Sequence, residues 1–591
     1  MIIIGISLTH DGTLTVLKDG VNIFSIGEER LNRTKSYIGF PFKSLRYVID
    51  KKIVEPNDID IVAISSGTFK KEWARSYAFE LTEDKKYYDI QNDKAPSDFF
   101  LNDDAWQKVD SDEACKTYVE KKIREILAQS NITAPIALLD HHQSHAASAY
   151  FGSGKKEALI ITLDGEGDLS SGTISVGKNG DIQVLHRMPV TSSIGYLYSE
   201  VTRKCGFKMS RHEGKITGLA AYGDYKKTQS YFDRIVSVVD GSIVFNNREG
   251  HGFTPSMWYR LRAKLGLRPF ANNFWRANIE DAGPLSKEDL SAAVQHVLEE
   301  KVAELVSYWV DKTGIRDVVT AGGVFANVKL NQKIAELPNV DSFFVFPDMG
   351  DGGNAYGATM LAYQKHVSTP AVYERIRDAY LGPSFTNDEV EAELKKHTDI
   401  SYEKVSDITK DTAKLIADKK IVGWFQGRME YGPRALGNRS VVAHPTDASI
   451  NKWLNDRMKR TEFMPFAPSC LIESADEIFE IKKQSMKSPA EFMTITFAMK
   501  EQWAKKASAV AHIDGTARPQ LVRKDTNPRF HALISHYKDI TGLPLVINTS
   551  FNVHEEPIVC SPADAIASLK NGMIDVLAIE DFIVQKKIST P

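Results

Sequence analysis

Met1-Ile2-Ile3-Ile4-Gly5-Ile6-Ser7 opens the chain, runs through Leu8-Thr9-His10-Asp11-Gly12 into Leu14–Leu17, and passes Asp19-Gly20 into Ile23–Ile26. Short apolar runs separated by Asp-Gly pairs read as a meander, because Asp-Gly supplies the left-handed backbone that tight hairpin turns need. The first run reads as a buried strand. Working outward, Ile61–Ile64, Ala137–Leu139, Leu159–Leu163 and Val318–Thr320 are further short apolar strands bounded by turns or helices. Glu288–Thr313 has apolar residues at helical spacing, Leu290, Val294, Val297, Leu298, Val302 and Leu305 among them, and is a long helix. Strands alternating with helices make the class α/β. A second α/β unit starts near Pro370–Pro383, so the domains are expected at 1–370 and 371–591. No sequence repeat or low-complexity tract is visible.

Composition sets the limits. A chain of 591 residues exceeds what one core holds. Its hydrophobic content of 42%, charged content of 26% and net charge of −3 are those of a soluble globular protein, not of a globally basic nucleic-acid binder. Cys115, Cys205, Cys470 and Cys560 lie far apart, so no disulfide framework or thiolate zinc site is indicated. The N-terminal apolar run lacks a charged flank and is too short to span a membrane. A cytoplasmic protein without membrane contact is the expectation.

Chemistry first shows in Asp140-His141-His142-Gln143-Ser144-His145. His141 and His145 stand four apart, so on a helix both imidazoles leave one face. Such a pair holds a divalent metal if acids join it, and two Gly-rich acidic turns after strands offer them: Asp164-Gly165-Glu166-Gly167 and Asp348-Met349-Gly350-Asp351-Gly352-Gly353. A structural histidine pair is the plainer reading. Gly322-Gly323 through Asn327 follows a strand and opens a helix, where amides and the helix dipole receive phosphate. Gly214-Lys215 adds a similar cue. Glu28-Glu29-Arg30 and Arg33-Thr34-Lys35 read most simply as a solvated face.

The second half carries Gly427-Arg428-Met429-Glu430-Tyr431-Gly432-Pro433-Arg434-Ala435-Leu436-Gly437-Asn438-Arg439-Ser440. Three arginines among three glycines and a proline read as an anion site for a phosphorylated substrate, since guanidinium forks match phosphate and carboxylate. Lys459-Arg460, then His512, Asp514 and Arg518, then Asn548, Ser550 and Asn552, bring cations, amides and hydroxyls from several loops toward a polar cleft.

Taken together, His10-Asp11, Glu28-Glu29-Arg30, His141/His145, Asp164-Gly165, Gly214-Lys215 through Gly223, Gly322-Gly323, Gly350-Asp351, the arginine loop, His512–Gln520 and Asn548–Asn552 with Glu556-Pro557-Ile558-Val559 resemble the NodU/CmcH-type O-carbamoyltransferases nearly end to end. Glu555 stands where that family usually has glycine, and Leu8-Thr9-His10 lacks its usual aromatic. The resemblance implies an actin/sugar-kinase-like N-terminal domain, of the kind used by tRNA threonylcarbamoyl transferases, followed by a YrdC-like α/β domain. It implies carbamoyl phosphate and ATP as co-substrates, with Mg²⁺ on the nucleotide, giving a carbamoyl-adenylate in the C-terminal domain. The carbamoyl group then passes to an acceptor hydroxyl in the N-terminal one, leaving AMP. By motif, His141, His145, Asp164 and Asp351 would hold a divalent metal, iron in relatives, and His10 with Asp11 would sit beside the acceptor as base. Lys35, Gly165, Gly214, Lys215, Gly322, Gly323 and Asn327 would bind nucleotide. Arg434 would be catalytic, and Arg428, Glu430, Arg439, Ser440, Lys459, Arg460, His512, Asp514, Arg518, Asn548, Ser550 and Asn552 would hold carbamoyl phosphate and ATP in the C-terminal domain.

For the acceptor, Asn246–Arg276 interleaves cations with aromatics, notably Trp258, Arg260, Arg262, Arg268, Trp275 and Arg276, and Pro255 to Gly266 reads as a helix. This mixture suits stacking plus phosphate contact, so a hydroxymethylated base flipped out of DNA joins glycans and natural products as acceptor classes. A lid helix with a solvated basic face is the plainer reading. A homodimer is a further expectation. The competing classes are a kinase or ATPase of the actin-like fold, which leaves the arginine loop unexplained, and a non-catalytic nucleotide binder, which has no use for His10 beside a metal set. Tyr77–Asp112 is acidic and aromatic and carries no readable pattern.

Overall fold

Strand β1 (Ile2–Ser7) lies at the centre of a sheet ordered β3-β2-β1-β4-β5, with β2 (Thr13–Lys18), β3 (Val21–Gly27), β4 (Ile61–Ser65) and β5 (Ile136–Leu139). The computed structural model describes residues 1–66, 69, 71, 81, 108–227, 229–245, 285–367, 374–458 and 466–587. The expected meander pairs antiparallel, and β4 and β5 join β1 in parallel.

A second sheet repeats this plan. Strands β6 (Glu157–Gly167), β7 (Ser170–Lys178) and β8 (Asp181–Pro189) form an antiparallel meander. A small hairpin, β9 (Val236–Val239) with β10 (Ser242–Phe245), intervenes. Strands β11 (Asp317–Ala321) and β12 (Ser342–Val345) then add in parallel, in the order β12-β11-β6-β7-β8. The duplication is architectural, with no repeat in sequence to betray it. Each half ends in a helix after its last strand, His141–Ser153 and Asn354–Gln364, and the two helices pack on each other. Gly357 permits the crossing, since a Cβ there would lie 1.8 Å from the Ser144 carbonyl oxygen. The long helix, Lys287–Thr313, covers the second half, burying Leu290, Val294, Val297, Leu298, Val302 and Leu305 as its spacing requires. This is a duplicated α/β architecture, two five-stranded sheets built on one strand plan.

The C-terminal unit is a second α/β assembly. Its eight-stranded mixed sheet runs β13 (Ile400–Lys404), β23 (Phe582–Lys586), β22 (Val576–Ile579), β14 (Val422–Phe425), β15 (Arg439–Ala443), β21 (Leu545–Ser550), β16 (Ala467–Leu471) and β20 (Gln520–Val522). Strands β17 (Phe479–Glu480), β18 (Phe497–Met499) and β19 (Thr516–Ala517) form a satellite. The boundary expected at 370/371 lies outside the described residues, as do most of Tyr77–Asp112 and all of Asn246–Arg276.

The segment expected to be a solvated face instead joins the two units. Glu28 is buried and accepts from Lys43 N, Ser44 N and Ser44 Oγ at 2.8–2.9 Å. Arg30 donates to the Gly432 carbonyl at 3.0 Å, and Arg33 donates to those of Pro557 and Ile558 at 2.8 Å. Mixed charge misleads here because carbonyls of another domain, invisible in sequence, accept the arginines. Among the described residues no helix is long and apolar enough to cross a membrane.

Candidate active site

The His141–Ser153 helix starts where Asp140 caps it, accepting from Gln143 N at 2.8 Å, so both imidazoles leave its first turn on one side. Asp164 leaves β6 at an irregularity of register between Leu163 and Gly167, inside the strand and not in a turn after it. Asp351 opens the short turn before the Asn354 helix. The four ligand atoms lie within 4.8 Å of one another. His141 Nε2 stands 3.7 Å from Asp164 Oδ2 and 3.4 Å from Asp351 Oδ1, and His145 Nε2 stands 3.1 and 3.4 Å from the same atoms.

Two carboxylates enclosed with two imidazoles create a demand for positive charge. Burial pulls the His141 imidazole down, yet Asp351 and Asp164 outweigh it and raise the group to about 9. Asp164, despite the opposing effect of burial, is held well below the usual carboxylate range by His141 and His145. His141 Nε2 is buried without a hydrogen-bond partner. An orphaned imidazole nitrogen among two nitrogen and two oxygen donors fits a divalent ion of the iron, zinc or manganese class.

The surrounding groups hold these donors. Thr9 Oγ1 donates to Asp351 Oδ2 at 2.7 Å, and Asp168 Oδ2 accepts from His141 N at 2.8 Å. Asn354, fully buried, reaches His145 Nε2 at 3.2 Å. None of these three was legible, for isolated Thr, Asp and Asn give no spacing signal. His142 is structural, its ring bonded to Thr162 Oγ1 and the Ser170 carbonyl. His10, one residue past Thr9, pairs through Nδ1 with Asp11 Oδ2 at 2.8 Å. Asp11, aided by Asp351 and Asp164, raises the His10 imidazole to about 9 against burial.

Glycines expected to bind nucleotide divide into two groups. Gly165, Gly322 and Gly323 gather around Asp164: Gly165 N donates to Asp164 Oδ1, and Gly322, at φ +108°, would drive a Cβ to 2.1 Å from the Leu163 carbonyl. Gly214, Lys215 and Lys35 line a cavity of about 580 Å³ instead. Asn327 caps the Val328–Ala335 helix through Leu330 N and bonds Gln295. The same cavity receives Arg434, His512, Asp514, Arg518, Asn548, Ser550 and Asn552 from the C-terminal unit. One space is thus walled by both units.

The arginine loop corrects its own first reading. Glu430 Oε1 accepts from Leu436 N, Asn438 N and Arg439 N at 2.7–3.1 Å, so the loop's amides already grip an anion, and it is the loop's own. Arg428 donates to the carbonyls of Ile23, Leu381 and Gly382. Arg439, fully buried, donates to Gln426, Gly427, Pro383 and Asn438 carbonyls and stacks 3.5 Å over Phe425. Ser440 accepts from Gly437 N. These four residues build the loop, and none of them lines the cavity described above. Arg434 alone of the three arginines reaches the cavity; burial lowers its guanidinium to about 10, and its Nε has no partner.

Asp514 is likewise occupied, accepting from Thr516 and Lys329 and orienting His512, whose Nε2 is buried and unpartnered. Asn548 donates to Ser469 and Gln520 while its Oδ1 stays unsatisfied, as does Asn552 Oδ1. Lys459, Arg460, Trp258, Arg260, Arg262, Arg268, Trp275 and Arg276 lie outside the described residues.

Residues 2–360 match the family described as Carbamoyltransferase N-terminus, and residues 413–586 match Carbamoyltransferase C-terminus. The chain is 32% identical to the Nodulation protein NolNO of Sinorhizobium fredii, over 98% of this chain and 80% of that one. It is 35% identical to the Nodulation protein NolO of Bradyrhizobium diazoefficiens over 76% and 79%, and 31% identical to the Uncharacterized protein MJ1051 of Methanocaldococcus jannaschii over 99% of both.

Proposed function

Because this chain belongs to the carbamoyltransferase family, we propose that it makes a carbamoyl-adenylate from carbamoyl phosphate and ATP and spends it on an acceptor hydroxyl. The chain is a transferase, and the observation that carries the finer reading is the cavity shared by the two units. At its C-terminal wall, Arg434 and the unpartnered His512 Nε2 and amide oxygens meet phosphate and carbamate groups. There water attacks the phosphorus of carbamoyl phosphate and its P–O bond to the carbamate breaks, leaving inorganic phosphate and carbamate, whose oxygen then displaces pyrophosphate from the α-phosphorus of ATP. The mixed anhydride would hydrolyse in bulk water, so an enclosed space walled by both units protects it.

In the N-terminal unit, at the His141 cluster, whose residues do not themselves line that cavity, the acceptor oxygen forms a bond to the carbamoyl carbon as the bond from that carbon to the AMP phosphate oxygen breaks. In its neutral form His10, held by Asp11 through Nδ1, offers Nε2 to the hydroxyl proton, an effect worth ~10²–10⁴-fold. A divalent ion on His141, His145, Asp164 and Asp351, iron in our reading, would supply positive charge to the carbonyl and phosphate oxygens. Thr9 holds Asp351, and Asn354 holds the two imidazoles. For the acceptor, the aromatic and basic stretch Asn246–Arg276 supports a stacking ligand, either a sugar or a hydroxymethylated base in DNA.

The test is pyrophosphate and AMP release with and without carbamoyl phosphate. Release should require it, and release of ADP instead would indicate a kinase. Mass spectrometry for the carbamoyl mass gain on glycans, metabolites and hydroxymethylated DNA then identifies the acceptor; a screen in which the DNA alone stays unmodified removes that class.

A further inference from the structure

Outside the four-residue cluster, a second set of donors comes together where the two units meet. His212 precedes the Glu213–Leu219 helix of the N-terminal unit, while His554 and Glu555 lie in the loop after β21 of the C-terminal unit. One ligand atom from each lies within 4.8 Å of the others. His212 Nε2 and His554 Nε2 stand 3.0 and 3.3 Å from the same atom, Glu555 Oε1. Donors bound at ~2.05 Å in a tetrahedron are separated by roughly 3.3 Å, so the spacing suits an ion, and His212 Nε2 becomes a ligand once its ring gives up the bond that Nδ1 accepts from Lys208 N at 3.2 Å. All three residues line the cavity. Glu555 also holds a left-handed backbone, φ +65°, which disfavours any residue but glycine and persists only where surrounding contacts enforce it.

We propose that His212, His554 and Glu555 form a second divalent-cation site that takes a first-row transition ion and presents its open positions to a phosphate-bearing ligand in the cavity. Two imidazoles and one carboxylate are a donor set for zinc, iron or cobalt rather than magnesium, which prefers oxygen. The other carboxylate oxygen is occupied: Lys208 Nζ lies 3.3 Å and Arg211 Nη1 3.7 Å from Glu555 Oε2. An ion added beside those cations leaves the site strongly positive, so it binds well only when an anion completes the set. Ion and phosphate are therefore coupled, each tightening the other. Because the donors come from both units, the loaded site also ties them together. The phosphate half of this proposal rests on our reading of the cavity as a place where phosphates are handled; the ion half does not.

The chelator-stripped chain is titrated with Co²⁺ in equilibrium dialysis, with and without inorganic phosphate. The parent should bind two ions per chain with phosphate present, the weaker one about tenfold more weakly without it. Glu555→Gly, which suits the left-handed backbone and so keeps the fold, should bind one, as should His212→Ala. Asp351→Asn should lose the other ion and keep this one. A parent that binds a single ion with phosphate present overturns the site. So does a Glu555→Gly chain that binds as many as the parent; that result, with a lowered Tm, would make Glu555 an ion-pair tie between the units and nothing more. If Co²⁺ binds as described while pyrophosphate release ignores carbamoyl phosphate, the functional reading fails and this site stands.

Discussion

The arginine loop and the His141 cluster are the two most conspicuous stretches of this sequence, and the fold treats them in opposite ways. In the loop, most hydrogen-bonding capacity turns inward: Glu430 Oε1 accepts three amides, and Arg428 and Arg439 donate to carbonyls. In the cluster, four donors face one another and His141 Nε2 is left without a partner. Charged residue types alone therefore do not mark a site; several unspent donors converging on one point, as in the cluster, do. Arg434 is the informative exception within the loop: Arg439 Nε and Glu430 Oε2 are also buried without a partner, but of these residues Arg434 is the one that lines the cavity.

The sharpest way to break this comparison is to remove a donor from each region. Asp351→Ala should weaken divalent-ion binding by more than ~100-fold and abolish transfer, with little change in the secondary structure seen by circular dichroism. Arg434→Ala should lower kcat/KM for carbamoyl phosphate by ~10²–10³-fold while Tm stays within a few degrees of the parent. Glu430→Ala should do the reverse, costing about 3 kcal/mol in denaturant unfolding because three buried amides lose their acceptor. An equal loss of stability in the Arg434 and Glu430 variants would erase the distinction.

The contrast also explains what could be read in advance. The β1–β3 meander, the helix spacing of His141 and His145 and the long helix at Lys287 are local patterns, and they were legible because periodicity and Asp-Gly turns act over a few residues. The duplicated architecture was not, since the two halves share topology but no sequence repeat. Arg30 and Arg33 were misread because their acceptors are carbonyls hundreds of residues away. Thr9, Asp168 and Asn354 were missed for the same reason: each acts on the cluster through one long-range contact.

Smaller effects sharpen the metal side. Thr9→Val removes only the hydroxyl that fixes Asp351, so ion affinity should fall ~10-fold without loss of fold. Asp11→Asn probes the base. Asp11 is the largest influence raising the His10 imidazole, so its removal lets His10 lose its proton at lower pH. If a neutral His10 takes the hydroxyl proton, the rising limb of kcat/KM must then move to lower pH than in the parent. A limb that stays in place would remove His10 from that role.

The central claim is that one half of the polypeptide activates the carbamoyl group and the other half spends it, across a common cavity. The most direct measurement is pyrophosphate release by Asp351→Ala given ATP and carbamoyl phosphate. The account predicts a carbamoyl-phosphate-dependent burst of pyrophosphate, about one equivalent per chain, while carbamoylation of any acceptor stops. Loss of both activities together, or release that is indifferent to carbamoyl phosphate, would contradict it.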